Sequence, residues 1–112
     1  MTDVSIVVPV YNEVETVPLL GERLHQAASQ LGRSYEVLLI DDGSRDGTWE
    51  ELVKAARKYP HFRIIRFRRN FGQTAAMSAG FKESTGNVIV TLDADLQNDP
   101  ADIATVLARI DK

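Results

Sequence analysis

SIVVPVYNE, residues 5–13, is the stretch that decides the fold. It begins as a short apolar run rich in β-branched residues, which is typical of a strand buried on both faces. It ends in Tyr11, Asn12 and Glu13, whose polar groups follow the run directly. An apolar run followed by a polar cluster recurs at residues 36–44, 63–72 and 87–97. The chain is therefore predicted to repeat one unit, a buried strand with functional groups at its carboxyl end.

Helical patterns separate these runs. Strands are predicted at Ser5 to Val10, Glu36 to Ile40, Arg63 to Phe67 and Asn87 to Leu92. Helices are predicted at Glu13 to Leu31, Thr48 to Tyr59, Gln73 to Ser84 and from Pro100 onward. This alternation predicts an α/β fold with a parallel sheet and helices on both faces. We expect the strand order third, second, first, fourth, with the third near an edge because arginines alternate with its apolar residues.

Length and composition limit the function. The chain has 112 residues, is 44% hydrophobic, carries a net charge of −3 and has no cysteine. One domain with a true core is expected, without disulfides or thiolate metal sites. The negative charge gives no general attraction to nucleic acid, so no nucleic-acid partner is expected. No apolar stretch approaches the ~20 residues that cross a bilayer, and the N-terminus lacks signal-peptide features, so no transmembrane segment is expected in this chain.

Two aspartates follow the fourth strand at positions 93 and 95. On an extended backbone Asp93 and Asp95 project to the same side, where two carboxylates repel unless a cation lies between them. Mg²⁺ or Mn²⁺ prefers such oxygen ligands and keeps positions open for phosphates. Gln97 could add a neutral oxygen or orient a metal-bound water, whereas Asp99 before Pro100 needs only a capping role.

The other clusters suggest a nucleotide. Asp41 follows the second strand, where a single acid can accept hydrogen bonds from ribose hydroxyls or base N–H groups. Tyr11 could stack on a base, and Glu13 could contact a ribose or lie in a helix's first turn. Neither GxGxxG nor GxxxxGK[ST] is present, which disfavours a dinucleotide enzyme and excludes a P-loop.

The four clusters together resemble glycosyltransferase family 2, closest to its polyprenyl-phosphate branch, the dolichyl- or undecaprenyl-phosphate sugar transferases. The resembling segments are SIVVPVYNE (5–13), DDGSRDGT (41–48), RNFGQTAAMSAG (69–80) and TLDADLQNDP (91–100). The resemblance implies the Rossmann-like nucleotide-binding half of a GT-A fold. It implies nucleotide-sugar contacts at Pro9, Tyr11, Asn12, Glu13, Asp41, Asp42, Asp93 and Asp95, and metal contacts at Asp93, Asp95 and Gln97. Position 73 is often basic or histidine in relatives, and here it is Gln73.

The family resemblance also implies an activity. The expected reaction is transfer of a sugar, with inversion, from a UDP- or GDP-linked donor to an acceptor such as a polyprenyl phosphate, assisted by Mg²⁺ or Mn²⁺. No catalytic base is identifiable. Residues 1–112 are expected to be the nucleotide-sugar-binding part, truncated before the acceptor-binding part and inactive alone. The full-length protein is expected in the cytoplasm, at the cytoplasmic face of a membrane.

Two other functions stay open. One is a nucleotide-sugar-binding module or fragment without turnover, which an assay with a lipid acceptor would separate from the enzyme. The other is a nucleotidyltransferase, which shares a similar half-fold and metal site. Nucleotidyltransferases usually carry a glycine-rich loop with a basic residue after the first strand, and PVYNE (residues 9–13) is not such a loop.

Overall fold

A computed structural model describes residues 2–94. Within this range four strands alternate with three helices, in the order β1 (Val4–Val10), α1 (Val17–Ser29), β2 (Tyr35–Asp41), α2 (Thr48–Lys58), β3 (Phe62–Arg66), α3 (Gln73–Glu83) and β4 (Val88–Thr91). The predicted α/β class and the predicted elements up to β4 are confirmed. The predicted helix from Pro100 lies outside the described residues.

The sheet is parallel and has the order β3-β2-β1-β4. This is the predicted order, with β3 at an edge. β1 pairs with β2 from Val4↔Tyr35 to Val10↔Asp41, and with β4 from Val4↔Val88 to Val7↔Thr91. Because parallel strands end at one edge, the loops after β1, β2, β3 and β4 lie along the same side of the sheet.

Helices cover both faces, as predicted. Alternate residues of β1 and β2, among them Ile6 and Leu39, pack with α1 and α2 in the larger core. The residues between them, among them Val7 and Ile40, pack with Ala76 of α3 in the smaller core. The period of two along a strand explains this division, since successive side chains point to opposite faces.

The first helix is shorter than predicted. It begins at Val17 instead of Glu13 and ends at Ser29 instead of Leu31. The amides of Thr16 and Val17 both donate to the Glu13 carbonyl, so the residues before the helix form a turn. The sequence signal for this start is Pro18, since proline suits the first turn of a helix and is costly inside one.

The small residues of α3 allow it to lie close to the sheet. A Cβ on Gly80 would stand 2.3 Å from Val7 Cγ1 and 3.0 Å from Ile40 Cδ1. A larger residue at this position would force α3 to move away from β1 and β2. The glycine at position 80 is therefore what allows α3 to approach the sheet this closely.

A buried carboxylate organises the amino end of the sheet. Glu36 Oε2 accepts hydrogen bonds from Ser5 Oγ at 2.6 Å, Thr85 N at 2.7 Å and Thr85 Oγ1 at 2.9 Å. Arg63 Nη1 lies 2.9 Å from Glu36 Oε1 and forms an ion pair with it. Burial raises the pKa of Glu36, but the hydrogen bonds from Ser5, Thr85 and Arg63 outweigh it, so the pKa lies below its ordinary value.

Gly80→Ala is expected to destabilise the protein although alanine favours helices by about 1 kcal/mol over glycine. The added methyl overlaps Val7 in a packed core, which typically costs about 1–3 kcal/mol. Urea denaturation measures the change, with Ser78→Ala on the exposed side of α3 as the matched control. Equal stability of Gly80→Ala and wild type would contradict the close packing of α3.

Glu36→Gln is expected to lower the free energy of unfolding at neutral pH by roughly 1–3 kcal/mol, because an amide nitrogen faces donors in place of a carboxylate oxygen. A depressed folded-state pKa stabilises the fold above the ordinary value of 4.5 and loses that effect as the pH falls through the folded-state pKa. The difference between wild type and variant should therefore shrink on acidification below 4.5.

Urea denaturation across this pH range measures the Glu36 effect, and Glu83→Gln is the control. Glu83 is exposed, and its carboxylate is 3.8 Å from Arg63. Such an exposed pair contributes about 0–1 kcal/mol. A stability difference for Glu36→Gln that stays constant from neutral to acid pH would contradict the inference that Glu36 is an ionised carboxylate stabilising the folded state.

Candidate functional site

The candidate site lies where the predicted clusters meet, at the carboxyl edge of the sheet. A cleft of about 280 Å³ is lined there by Pro9, Val10, Tyr11, Glu13, Asp42, Gln73, Asp93 and Ala94. A second cavity of about 210 Å³ adjoins it and shares Pro9, Gln73 and Asp93. The cleft is near the lower end of the size range of small-molecule pockets. The loops after β1, β2 and β4 and the start of α3 thus contribute to one concave surface.

The loops after β1 and β2 are joined by hydrogen bonds. Asn12 N donates to Ser44 Oγ at 2.8 Å, and Arg45 N donates to Asn12 Oδ1 at 2.9 Å. Glu13 N donates to Thr48 Oγ1 at 2.9 Å. Asn12 has a φ of 50°, a left-handed conformation that asparagine tolerates better than most residues. The Asn12 side chain therefore holds the two loops together, which sequence reasoning missed.

Tyr11 and Glu13 flank this joint. Tyr11 is 45% exposed, and its ring lines the cleft, where a planar group could stack on it. Glu13 lines the same cleft and lies before α1, outside its first turn. The predicted alternative that Glu13 is a first-turn helix residue is therefore wrong for the helix as it forms.

Asp41 and Asp42 are both buried and have different environments. Asp41 Oδ1 accepts from Ser44 N at 2.9 Å, but Asp41 Oδ2 is buried and has no hydrogen-bond partner among residues 2–94. A buried polar atom without a partner is costly and needs an explanation. Asp41 is fully buried and is not among the residues that line the cleft, so its nucleotide contact stays a prediction.

The Asp42 carboxylate already has partners. Oδ1 accepts from Phe71 N at 2.8 Å, and Oδ2 accepts from Asn70 Nδ2 at 2.9 Å and Gly72 N at 3.0 Å. These donors lie just before α3, so Asp42 fastens the loop after β3 to the end of β2. The family resemblance implies a nucleotide contact at Asp42, and that contact stays a prediction.

Gly43 allows this fastening. Its φ is 76°, and a Cβ there would lie 2.2 Å from the carbonyl carbon of Arg69 and 2.4 Å from Asn70 N. No larger residue fits between the two loops without moving the backbone. The glycine after the aspartates in DDGS is therefore required by packing as well as by the turn.

Asp93 is the described part of the predicted metal site. It is exposed just after β4, where its Oδ1 accepts a hydrogen bond from Gln73 Nε2 at 3.3 Å. An exposed carboxylate that lines the cleft suits a hard cation such as Mg²⁺ or Mn²⁺. Asp95 and Gln97 lie outside the described residues. Among residues 2–94 no group of three or more acidic, histidine or cysteine side chains could hold a metal.

Arginines and aromatic rings line the rim beyond β3. A cavity of about 250 Å³ is lined by Gly43, Ser44, Arg66, Phe67 and Arg68. The Arg66 guanidinium lies 5.3 Å from the Trp49 ring centre, and that of Arg69 lies 4.7 Å from the Phe71 ring centre. Trp49 is partly buried and packs against the larger core.

The sheet order, the helices on both faces and the cleft at the strand ends define an open α/β domain, a class in which ligands bind at the carboxyl edge of the sheet. Comparison with known proteins identifies the family. The chain belongs to glycosyl transferase family 2, whose model matches residues 5–112.

Curated relatives match nearly the whole chain. The undecaprenyl-phosphate 4-deoxy-4-formamido-L-arabinose transferases of Salmonella paratyphi B and Salmonella enteritidis are each 48% identical over 110 residues. The match covers 97% of this chain and 34% of each relative. The chain therefore spans about a third of the length of these relatives.

Solved structures show the same fold. A mannosyltransferase from Pyrobaculum calidifontis in complex with GDP-Man and Mn²⁺ has a TM-score of 0.81 at 23% identity, covering 93% of this chain and 31% of that one. Residues 1–349 of S. aureus TarS in complex with UDP-GlcNAc have a TM-score of 0.80 at 22% identity, covering 98% and 31%. The likeness to these structures confirms the predicted GT-A fold. None of the helices within residues 2–94 has the length and apolar character to cross a membrane.

Proposed function

We propose that this chain forms the nucleotide-sugar-binding part of an inverting glycosyltransferase that uses a UDP- or GDP-linked sugar. The observation that carries the proposal is the cleft at the carboxyl edge of the sheet, whose lining brings together Tyr11, Glu13 and Asp93. Asp41 ends the neighbouring strand with a buried Oδ2 that has no partner among residues 2–94, and base and ribose would supply donors for such an oxygen. Family membership and the named relatives support the same reading.

The described residues divide between the two ends of the ligand. Tyr11 would stack on the base, and Asp41 would accept hydrogen bonds from base or ribose. Pro9, Asn12 and Glu13 would shape the wall between nucleoside and diphosphate, and Asp42 borders the same cleft. Asp93, with Asp95 and Gln97, would hold Mg²⁺ or Mn²⁺ beside the diphosphate. When bound, the cation would neutralise charge that develops on the leaving diphosphate.

The acceptor is proposed from the relatives, which act on undecaprenyl phosphate by name. A phosphate monoester is largely dianionic at neutral pH, since its second pKa is about 6. Such a nucleophile needs no general base, which agrees with a site in which none was identified. A lipid-phosphate acceptor also supports location at the cytoplasmic face of a membrane in the full-length protein, with residues 1–112 supplying the donor side.

Calorimetric titration with UDP and with GDP, with and without MnCl₂, tests the proposed donor site. Tyr11→Ala is expected to weaken nucleotide binding in both conditions, because loss of base stacking typically costs about 1–3 kcal/mol. In Asp41→Asn the amide oxygen can still accept a hydrogen bond from Ser44 N. The variant loses the negative charge and has an amide nitrogen in place of Oδ2, so it should also weaken binding in both conditions. Asp93→Asn should weaken mainly the part that depends on Mn²⁺.

Glu50→Gln on the exposed side of α2 is the control and should bind like wild type. Equal losses for Tyr11→Ala and Asp93→Asn in both conditions would contradict the division between base and metal ends. Absence of any binding of UDP or GDP by the wild-type chain would contradict the proposed donor site.

A further inference from the structure

Hydrogen-bond donors of the protein occupy most of the accepting capacity of the Asp42 carboxylate. It is 3% exposed and accepts hydrogen bonds from the Asn70 side chain and from the amides of Phe71 and Gly72. An ionised carboxylate has about four lone-pair positions, and three donors with short bonds leave little capacity for a ligand. All three donors belong to one segment, residues 70–72, which joins β3 to α3. Asp42 therefore holds that segment in place at the end of β2.

Residues 70–72 determine where α3 begins. Gln73 is the first residue of the helix and follows Gly72 directly. The first amides of a helix have no partners within it and carry partial positive charge, so a buried carboxylate beside them is favourable. The contact between Gly43 and the backbone of residues 69–70 limits movement of the same segment. The position of Gln73 is thus set from the end of β2.

Gln73 in turn contacts Asp93. Its Nε2 donates to Asp93 Oδ1 at 3.3 Å, and both side chains line both cavities of the carboxyl edge. A neutral amide can orient a carboxylate without neutralising it, so the full negative charge stays available to a cation. A lysine or arginine at position 73 would compete with the cation for the same oxygen.

We infer that Asp42 is a positioning residue that acts through residues 70–72 and Gln73 on Asp93. This inference rests on the proposed function, in which Asp93 holds the cation beside the diphosphate. Side chains that orient a metal ligand are known to affect metal affinity strongly, typically by 10–100-fold. Asp42 would thus influence the cation without touching it.

A double-mutant cycle tests the connection. Asp42→Asn, Gln73→Ala and the double variant of the 112-residue chain are titrated with UDP and GDP, with and without MnCl₂. Thermal unfolding of each variant is measured in parallel. Each single change is expected to weaken the Mn²⁺-dependent part of nucleotide affinity by about 10-fold, at the low end of the range for such residues. The double variant should be no weaker than Gln73→Ala, because Asp42 acts through Gln73.

Thermal stability separates positioning from folding. Asp42→Asn should lower the unfolding temperature in both backgrounds, since donors lose an acceptor whether or not Gln73 is present. Glu36→Gln is the matched control, because it also disturbs a buried, multiply bonded carboxylate, but at the amino end of the sheet. It should lower the unfolding temperature and leave the Mn²⁺-dependent affinity unchanged.

Three results would overturn the inference. Losses that add in the double variant would show that Asp42 and Gln73 act independently. An equal loss for Asp42→Asn without Mn²⁺ would show direct contact with the nucleotide. An unchanged Mn²⁺-dependent affinity for Asp42→Asn would show a purely structural role. Failure of the wild-type chain to bind nucleotide at all is a separate outcome, which contradicts the proposed function and with it the premise.

Asn70→Ala supplies the test if Asp42→Asn does not fold. Asn70 is exposed, and its side chain provides one of the bonds to the Asp42 carboxylate. Its loss should reduce the Mn²⁺-dependent affinity by less than the loss of Asp42, and the reduction should disappear in the Gln73→Ala background. A reduction of equal size in both backgrounds would also overturn the inference.

Discussion

The burial of β1 between two parallel neighbours is the constraint on which the rest of the structure depends. Its backbone pairs with β2 along one edge and β4 along the other, and Val4, Ile6, Val7 and Val8 are fully buried. Buried backbone groups need partners, so a strand must lie on each side of β1. Both neighbours, β2 and β4, run parallel to β1 because helical crossovers connect the strands. The loop after β1 is then necessarily placed between the loops after β2 and β4. The position of the cleft follows from this arrangement alone.

Buried carboxylates lie at both ends of the sheet, and their hydrogen bonding differs between the two ends. At the amino end Glu36 is surrounded by donors and paired with Arg63, so charge and hydrogen bonds are satisfied within the protein. At the carboxyl end Asp42 is satisfied in the same manner, but the neighbouring Asp41 has an oxygen without a partner among residues 2–94. Among residues 2–94, the carboxyl edge is thus the end of the sheet at which a buried carboxylate oxygen has no hydrogen-bond partner.

Much of the fold could be predicted from sequence because its signals are local. Short apolar runs gave the strands, and the rules for parallel connections then left few strand orders. The apolar stripe alone predicts too early a start for α1, whereas Pro18 indicates the observed start, because proline suits the first turn of a helix. Five residues of the cleft lining are also predicted site residues, namely Pro9, Tyr11, Glu13, Asp42 and Asp93. Val10, Gln73 and Ala94 line the cleft without being predicted, and the predicted Asp41 does not line it. The individual contacts could not be predicted, because Asn12, Asp42 and Gln73 have partners about 20 to 33 residues away in the chain.

The two adjacent aspartates show how one step along a strand separates two roles. Val37 and Leu39 face α1 and α2, whereas Leu38 and Ile40 face α3. Continuing this alternation, Asp41 belongs to the first side and Asp42 to the second. The second side supplies the donors that precede α3, and they fill the Asp42 carboxylate. The first side leaves Asp41 Oδ2 without a partner among residues 2–94. The parity of the strand therefore separates an acid whose carboxylate fastens a loop from an acid with one unpartnered oxygen, although the two residues are chemically identical.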